Sequence, residues 1–184
     1  MKLSADDPWV DVPGRVGALA LRPVDLGPVT EVLGLPGRDL DAGLRAAVGI
    51  GDPGPGRSDR RDGIRVLWSG LDAVLVVGAR VRVDGALCVD QGDAWAALML
   101  SGDVRSVLAR LCPLDLREAA FPVGATARSL LGHVGMILSR LPGEDWLLLV
   151  PRPMTSTVAH DLVEASEGLA ARRRTAGQGR GGAG

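Results

Sequence analysis

Two spacings of apolar residues alternate along the chain: every second position, as in strands, and every third or fourth, as in helices. The stretch RVGALALR (Arg15–Arg22) predicts a short strand. DAGLRAAVG (Asp41–Gly49) predicts a helix with Asp41 at its N-cap and Gly49 at its end. GIGDPGPGRSDRRDG (Gly49–Gly63) interrupts the pattern with glycine, proline and charge, and reads as a flexible connector or an exposed loop. In IRVLW (Ile64–Trp68), Ile64, Val66 and Trp68 share one face, and AVLVVG (Ala73–Gly78) returns after an SGLD turn. VRV and ALCVD, joined across Asp84-Gly85, predict a further hairpin.

The second half repeats the theme. WAALMLSG (Trp95–Gly102) predicts a strand, and Val104, Val107, Leu108 and Leu111 then follow helical spacing, with Ser101 or Asp103 able to cap. ATARSLL and VGMILSR form a hairpin around Gly132-His133, and PGED leads into WLLLV (Trp146–Val150). Thr155 or Ser156 caps a last helix to about Leu169, with Val158, Leu162, Ala165 and Leu169 on its apolar stripe. VLWSGLDAVLVVGAR and ILSRLPGEDWLLLVPRP echo each other: strand, glycine-containing turn, apolar strand, cation. The expectation is an α+β fold of two related split β-α-β halves, about 15–90 and 91–170, within one domain spanning 15–170. Residues 1–14 are expected to be loosely ordered and 171–184 to form a disordered basic tail.

Composition narrows the function. Apolar residues make up 46% of the 184 residues, enough for a core without disulfide staples. The 21 basic and 22 acidic residues nearly cancel, so no general attraction to nucleic acid or an anionic membrane is expected. The run Arg172–Arg174 suggests solubility or loose docking on an acidic partner before it suggests nucleic acid. Two cysteines, Cys88 and Cys112, and an acidic N-terminus without an apolar core fit a reducing cytoplasm. No apolar run approaches the ~20 residues that span a bilayer.

Candidate chemistry is sparse. GIGDPG (Gly49–Gly54) and GQGRGG (Gly177–Gly182) match G-x-G-x-x-G, but neither sits between a strand and a helix as dinucleotide binding requires. Lys2 is the sole lysine, which excludes a P-loop, and no G-x-S-x-G elbow occurs. His133 and His160 lack partners at metal-ligand spacing, so no metal site is assigned. Cys112 follows a helix, where the dipole disfavours a thiolate. No catalytic, cofactor-binding or metal residue is assigned to this chain. Arg128 and Asp90 could serve a folate, one for its glutamate tail and one for its pterin, but no spacing joins them.

One family nevertheless resembles the chain from about Ile64 to Ala165. VLWSGLDAVLV, VDQGDAWAALMLSGDVRSVLARLCPLDLREAAFPVGATARSLLGHV and GEDWLLLVPRPM are similar to the gamma subunit of heterotetrameric sarcosine oxidase. The turn GLDAVL departs from the G-P-D-E-W form common in that family. The resemblance implies a fold related to the folate-binding domain of aminomethyltransferases. It implies a non-catalytic subunit, partnered by alpha, beta and delta subunits, in a complex that oxidatively demethylates sarcosine to glycine. The complex forms methylenetetrahydrofolate and hydrogen peroxide, and FAD, FMN, NAD, tetrahydrofolate and zinc reside on the other subunits. The rival is a stand-alone folate-binding one-carbon transfer protein of the same fold.

Within the family-like block, ARLCPLDLREAAFPVG (Ala109–Gly124) connects a helix to a strand. Pro113 and Pro122 stiffen its ends, and Asp115 is expected to hold its shape through loop N–H groups. Phe121, Pro122 and Asp115 are the interface candidates. Phe121 either faces a partner subunit or fills the core beneath the loop.

Overall fold

The computed structural model describes residues 8–9 and 12–178. Eleven strands form two antiparallel sheets. The first contains β1 (Arg15–Val16), β2 (Leu19–Val24), β8 (Trp95–Gly102), β9 (Thr126–Leu131), β10 (Val134–Arg140) and β11 (Trp146–Pro151), in the order β1-β2-β8-β11-β10-β9. The second contains β3 (Val29–Gly34), β4 (Ser58–Arg61), β5 (Ile64–Gly70), β6 (Ala73–Val77) and β7 (Ala86–Asp90), in the order β4-β5-β6-β3-β7. Helix α1 (Leu40–Val48) covers the second sheet, and α2 (Val104–Leu108) and α3 (Thr155–Gln178) cover the first.

The strand sequences follow from this layering. Leu147 and Leu149 of β11 meet Leu67, Leu75 and Val77 of the opposite sheet, while Trp146, Leu148 and Val150 point to the helix side. A strand buried on both faces must be apolar throughout, which is why WLLLV and AVLVV show no alternation. Thr155 and Ser156 begin α3, whose Val158 and Leu162 are fully buried with Ala165 and Leu169 packed beside them.

The two halves carry the same unit. In β3-α1-β4-β5-β6 and in β8-α2-β9-β10-β11, three meandering strands return so that the last pairs antiparallel with the first. Each is therefore a β-α-β-β-β unit, larger than a single split β-α-β. The strand before each unit is exchanged: β2 leads into β3 but pairs with β8, and β7 leads into β8 but pairs with β3. The division at residue 90 thus cuts the first sheet, between β2 and β8, and leaves the second whole.

Several local expectations change. Arg15–Arg22 is a tight hairpin, because Gly17, at φ 58°, turns the chain between Val16 and Leu19. The connector 49–63 contains β4, paired with β5 across Asp62-Gly63; both residues have positive φ, as this hairpin turn requires. Val81–Val83 does not pair with β7. Thr30 Oγ1 accepts from Val81 N at 3.3 Å, while β7 takes its ladder from β3. Asp39, not Asp41, caps α1 by accepting from Ala42 N at 3.0 Å. Thr155 is not an N-cap, since its hydroxyl donates to Arg152 O at 3.1 Å. Helix α3 continues beyond Leu169 to Gln178, so the first part of the expected tail is helical. Trp9, in the segment expected to be loose, is 4% exposed and packs on the core. Residues 1–7, 10–11 and 179–184 lie outside the described residues.

Candidate functional site

The connection from α2 to β9 is built from the inside. Leu108 O accepts from Cys112 N at 2.8 Å, which carries the helical path to the Cys-Pro step, and Leu111 O then accepts from Gly132 N at 2.6 Å. Cys112, Leu116 and Phe121 point inward and are buried. Burial pushes the Cys112 thiol up, as expected of a structural cysteine.

Asp115 faces out. Its carboxylate accepts from Arg117 N at 3.1 Å and from Arg117 Nε at 2.9 Å, and pairs with Nη2 as well. The Arg117 guanidinium, followed by that backbone N–H, holds the Asp115 carboxyl down to about 2. Asp115 therefore shapes the loop, through an exposed turn and not a buried network.

Phe121 fills the core. Its ring stacks on Trp146 with centroids 5.4 Å apart and planes 15° from parallel. Above Trp146 lies the Arg140 guanidinium, 5.7 Å from the ring centroid, on a side chain only 3% exposed. Arg140 Nη1 donates to Phe121 O at 2.9 Å and Nη2 to Glu118 Oε1 at 3.2 Å. The Arg140 backbone is also tied to the loop, accepting from Gly124 N at 2.9 Å and donating to Ala125 O at 2.9 Å. One β10 residue thus fixes the loop by backbone and by side chain. Charge-assisted bonds of this kind contribute about 1.5–3 kcal/mol each, and a desolvated cation–π contact about 2. Periodicity could not reveal this anchor, because Arg140 stands at the end of a strand where an exposed cation is the ordinary reading.

Of the interface candidates, Phe121 is 6% exposed and unavailable to a partner without opening the core. Pro122 is half-buried, and neighbouring Val123, at 46% exposure, is the apolar side chain the loop presents. Arg128 reaches Ser69 O on β5 at 3.4 Å, whereas Asp90 pairs with Arg80 on β7. Three strand spacings separate β5 from β7, about 14 Å. His133 is exposed in its turn and His160 lies 3.8 Å from Glu164 on α3. Among the described residues no three His, Cys, Asp or Glu side chains gather as metal ligands. GIGDPG follows α1: Gly49 ends that helix at φ 72°, and a Cβ on Gly51 would meet the Asp41 and Arg45 side chains. That stretch is filled by its own neighbours and leads into a strand, not a helix. No described helix is long and apolar enough to cross a membrane.

No protein-family model matches the chain. Individual relatives do. A sarcosine oxidase subunit gamma from Arthrobacter sp is 28% identical over 163 residues, covering 81% of this chain and 80% of that one. The subunit gamma from Corynebacterium sp. (strain P-1) is 29% identical over the same length and coverage. The chain is similar to sarcosine oxidase gamma subunits. In structure it is similar to a chain of the heterotetrameric sarcosine oxidase from Corynebacterium sp. U-96, solved in complex with pyrrole 2-carboxylate. The TM-score is 0.71 at 24% identity, over 85% of this chain and 87% of that one. At that identity the structural match shows the fold alone.

Proposed function

We propose that the chain serves as the gamma-type subunit of a heterotetrameric sarcosine oxidase and contributes architecture, with the reaction centres on its partners. The observation that carries this reading is likeness to gamma subunits along most of the chain, at 28–29% identity over 81% of it. The reaction of the complex is then sarcosine, O2 and tetrahydrofolate giving glycine, hydrogen peroxide and methylenetetrahydrofolate. The methyl carbon passes to folate while two hydrogens reduce O2. Alpha, beta and delta subunits are the partners, and FAD, FMN, NAD, tetrahydrofolate and zinc are theirs. Kinship of the fold with the folate-binding domain of aminomethyltransferases belongs to the same proposal.

The surface supports a life in a complex. On the second sheet, Leu87 and Val89 of the edge strand β7 and Leu35, just after β3, are exposed at 54%, 37% and 48%. Leu71, in the β5–β6 turn beside them, is 91% exposed. Apolar side chains clustered at a sheet edge mark a surface that another chain covers.

Coexpression with alpha, beta and delta chains from the same source, followed by native mass spectrometry, tests the proposal. A single four-chain species is expected, with no flavin or folate retained by this chain alone. Recovery of the other three as a complete active enzyme without it, or stoichiometric folate on the isolated chain, would favour the stand-alone folate protein.

A further inference from the structure

The two connections that exchange strands between the sheets run side by side. One passes from β2 to β3 through Pro23–Gly27, and the other from β7 to β8 through Gly92 and Trp95. Where they meet, with Trp9 and Arg152 completing the wall, the surface is hollowed into a cavity of about 480 Å³. That volume is within the range of small-molecule sites, and its place at a crossing of chain connections is where such sites commonly form.

Among the described residues its one cation is Arg152, at the corner between β11 and α3. The backbone N–H of Arg152 is spent on Ala94 O at 2.9 Å, which fixes the residue at the rim. Its Nε is buried with no hydrogen-bond partner. Arg105 and Arg140 also hold a buried Nε without a partner, but both face Glu118. Among the described residues, Arg152 has no carboxylate within ion-pair distance. Asp25, across the cavity, is exposed and occupies its Oδ1 with Gly27 N at 2.9 Å.

The remaining lining is apolar and in part aromatic: Trp9, Trp95, Pro23 and Leu26. A half-buried guanidinium without a counter-ion among the described residues, set among indole rings, matches an anion carried on a flat apolar body. A planar carboxylate satisfies the guanidinium fork with two parallel bonds. Asp25 opposes a second negative charge, so a monocarboxylate fits better than a phosphate ester or a dicarboxylate.

We propose that this cavity is a binding site for a small aromatic monocarboxylate, held by Arg152 and the Trp95 ring. The site rests on this chain's own residues and stands whether or not the chain works within a sarcosine oxidase. A free metabolite and a terminal carboxylate of a partner chain share this chemistry, and the test separates them.

Benzoate is titrated into the full chain at constant ionic strength, with chloride as the control salt. Tryptophan fluorescence and the amide shifts of Gly92–Trp95 are the readouts. Saturable shifts confined to the cavity are expected, with affinity falling about tenfold or more in Arg152→Gln, the equivalent of ~1.4 kcal/mol. Arg152→Lys should recover part of it, since the charge stays while the fork is lost. Urea unfolding of each variant verifies that the fold survives. No saturable shift in the isolated chain, or equal affinity in Arg152→Gln, overturns the proposal. A partner chain as the source is recognised if benzoate binds the isolated chain but is excluded from the assembled complex.

Discussion

Replacing Phe121 by alanine separates a core role from a docking role for the 111–124 connection. Phe121 is 6% exposed and stacked on Trp146. A buried aromatic ring removes about 150–250 Å² from water. At ~25 cal/mol/Å² this amounts to roughly 4–6 kcal/mol, of which alanine's Cβ retains a part. The rigid Arg140 and Trp146 beneath cannot collapse into the void, so the loss should lie at about 3–5 kcal/mol. For a domain of this size each kcal/mol moves the melting temperature by about 2–4 °C, giving a fall of roughly 6–20 °C. Urea unfolding followed by near-ultraviolet circular dichroism measures the loss, and Phe121→Leu, which keeps much of the volume, should recover over half of it. Assembly with partner subunits should weaken no more than the lost stability dictates. A stability change under ~1 kcal/mol together with lost assembly would refute the packing argument and return Phe121 to the interface.

Other consequences are equally direct. Gly102 has φ 83°, and a Cβ there would run into the backbone carbonyl of Ala18. Gly102→Ala should therefore cost at least the ~1–3 kcal/mol of a strained backbone, read by thermal melting. The Asp115 carboxyl sits at about 2, below its ordinary 3.8, so its contribution to stability is present above pH ~4. That contribution is lost as pH falls from about 4 towards 2; wild type and Asp115→Asn should converge in acid-unfolding scans over this window, and parallel curves would contradict the Arg117 pairing. Cys112 is buried with its thiol pushed up, so iodoacetamide at neutral pH should label it more slowly than a free thiol. Leu71→Asp and Leu87→Asp should leave melting nearly unchanged but weaken capture by the partner subunits; unchanged capture would remove the β3–β7 edge from the assembly surface.

Strand positions were legible wherever local pattern and final environment agree. Trp95–Gly102 and the hairpin around Gly132-His133 fall where their patterns place them, because nearly every apolar residue there has a core to face, Leu130 excepted. Pattern failed where a long-range partner outbids a local one. The Asp84-Gly85 turn forms, with Gly85 at φ 74°, yet β7 pairs with β3 and Val81–Val83 is held by Thr30. Asp62-Gly63 signals a hairpin by the same rule, but charge at Asp59, Arg60 and Arg61 hid an edge strand exposed on its outer side. The internal echo was visible from its turns, whereas the exchange of β2 and β7 leaves no periodic trace. Arg140 and Arg152 were invisible as sites for a related reason: burial of a cation is decided by tertiary neighbours, and the sequence around each reads only as strand end.

The exchange also explains why so little of the chain can be dispensed with. The first sheet contains strands from both halves, since β2 closes onto β8, while β7 closes onto β3 of the second sheet. Cutting near residue 90 would strip β2 from β8, where Leu21 lies opposite Leu100, both now fully or almost fully buried. The sheets share a further apolar layer, in which Ala97, Ile137 and Leu149 meet Val29, Leu67 and Leu75. Ser58 carries the tie across the seam, its hydroxyl within 3.1 Å of Ser139 Oγ and its N–H donating to Gly124 O at 2.8 Å. Those contacts bring β4 of one unit against the end of the Arg140-anchored loop of the other. Disturbance at the loop therefore reaches both sheets, and the family-like block from Ala109 to Gly124 is held by the fold as a whole.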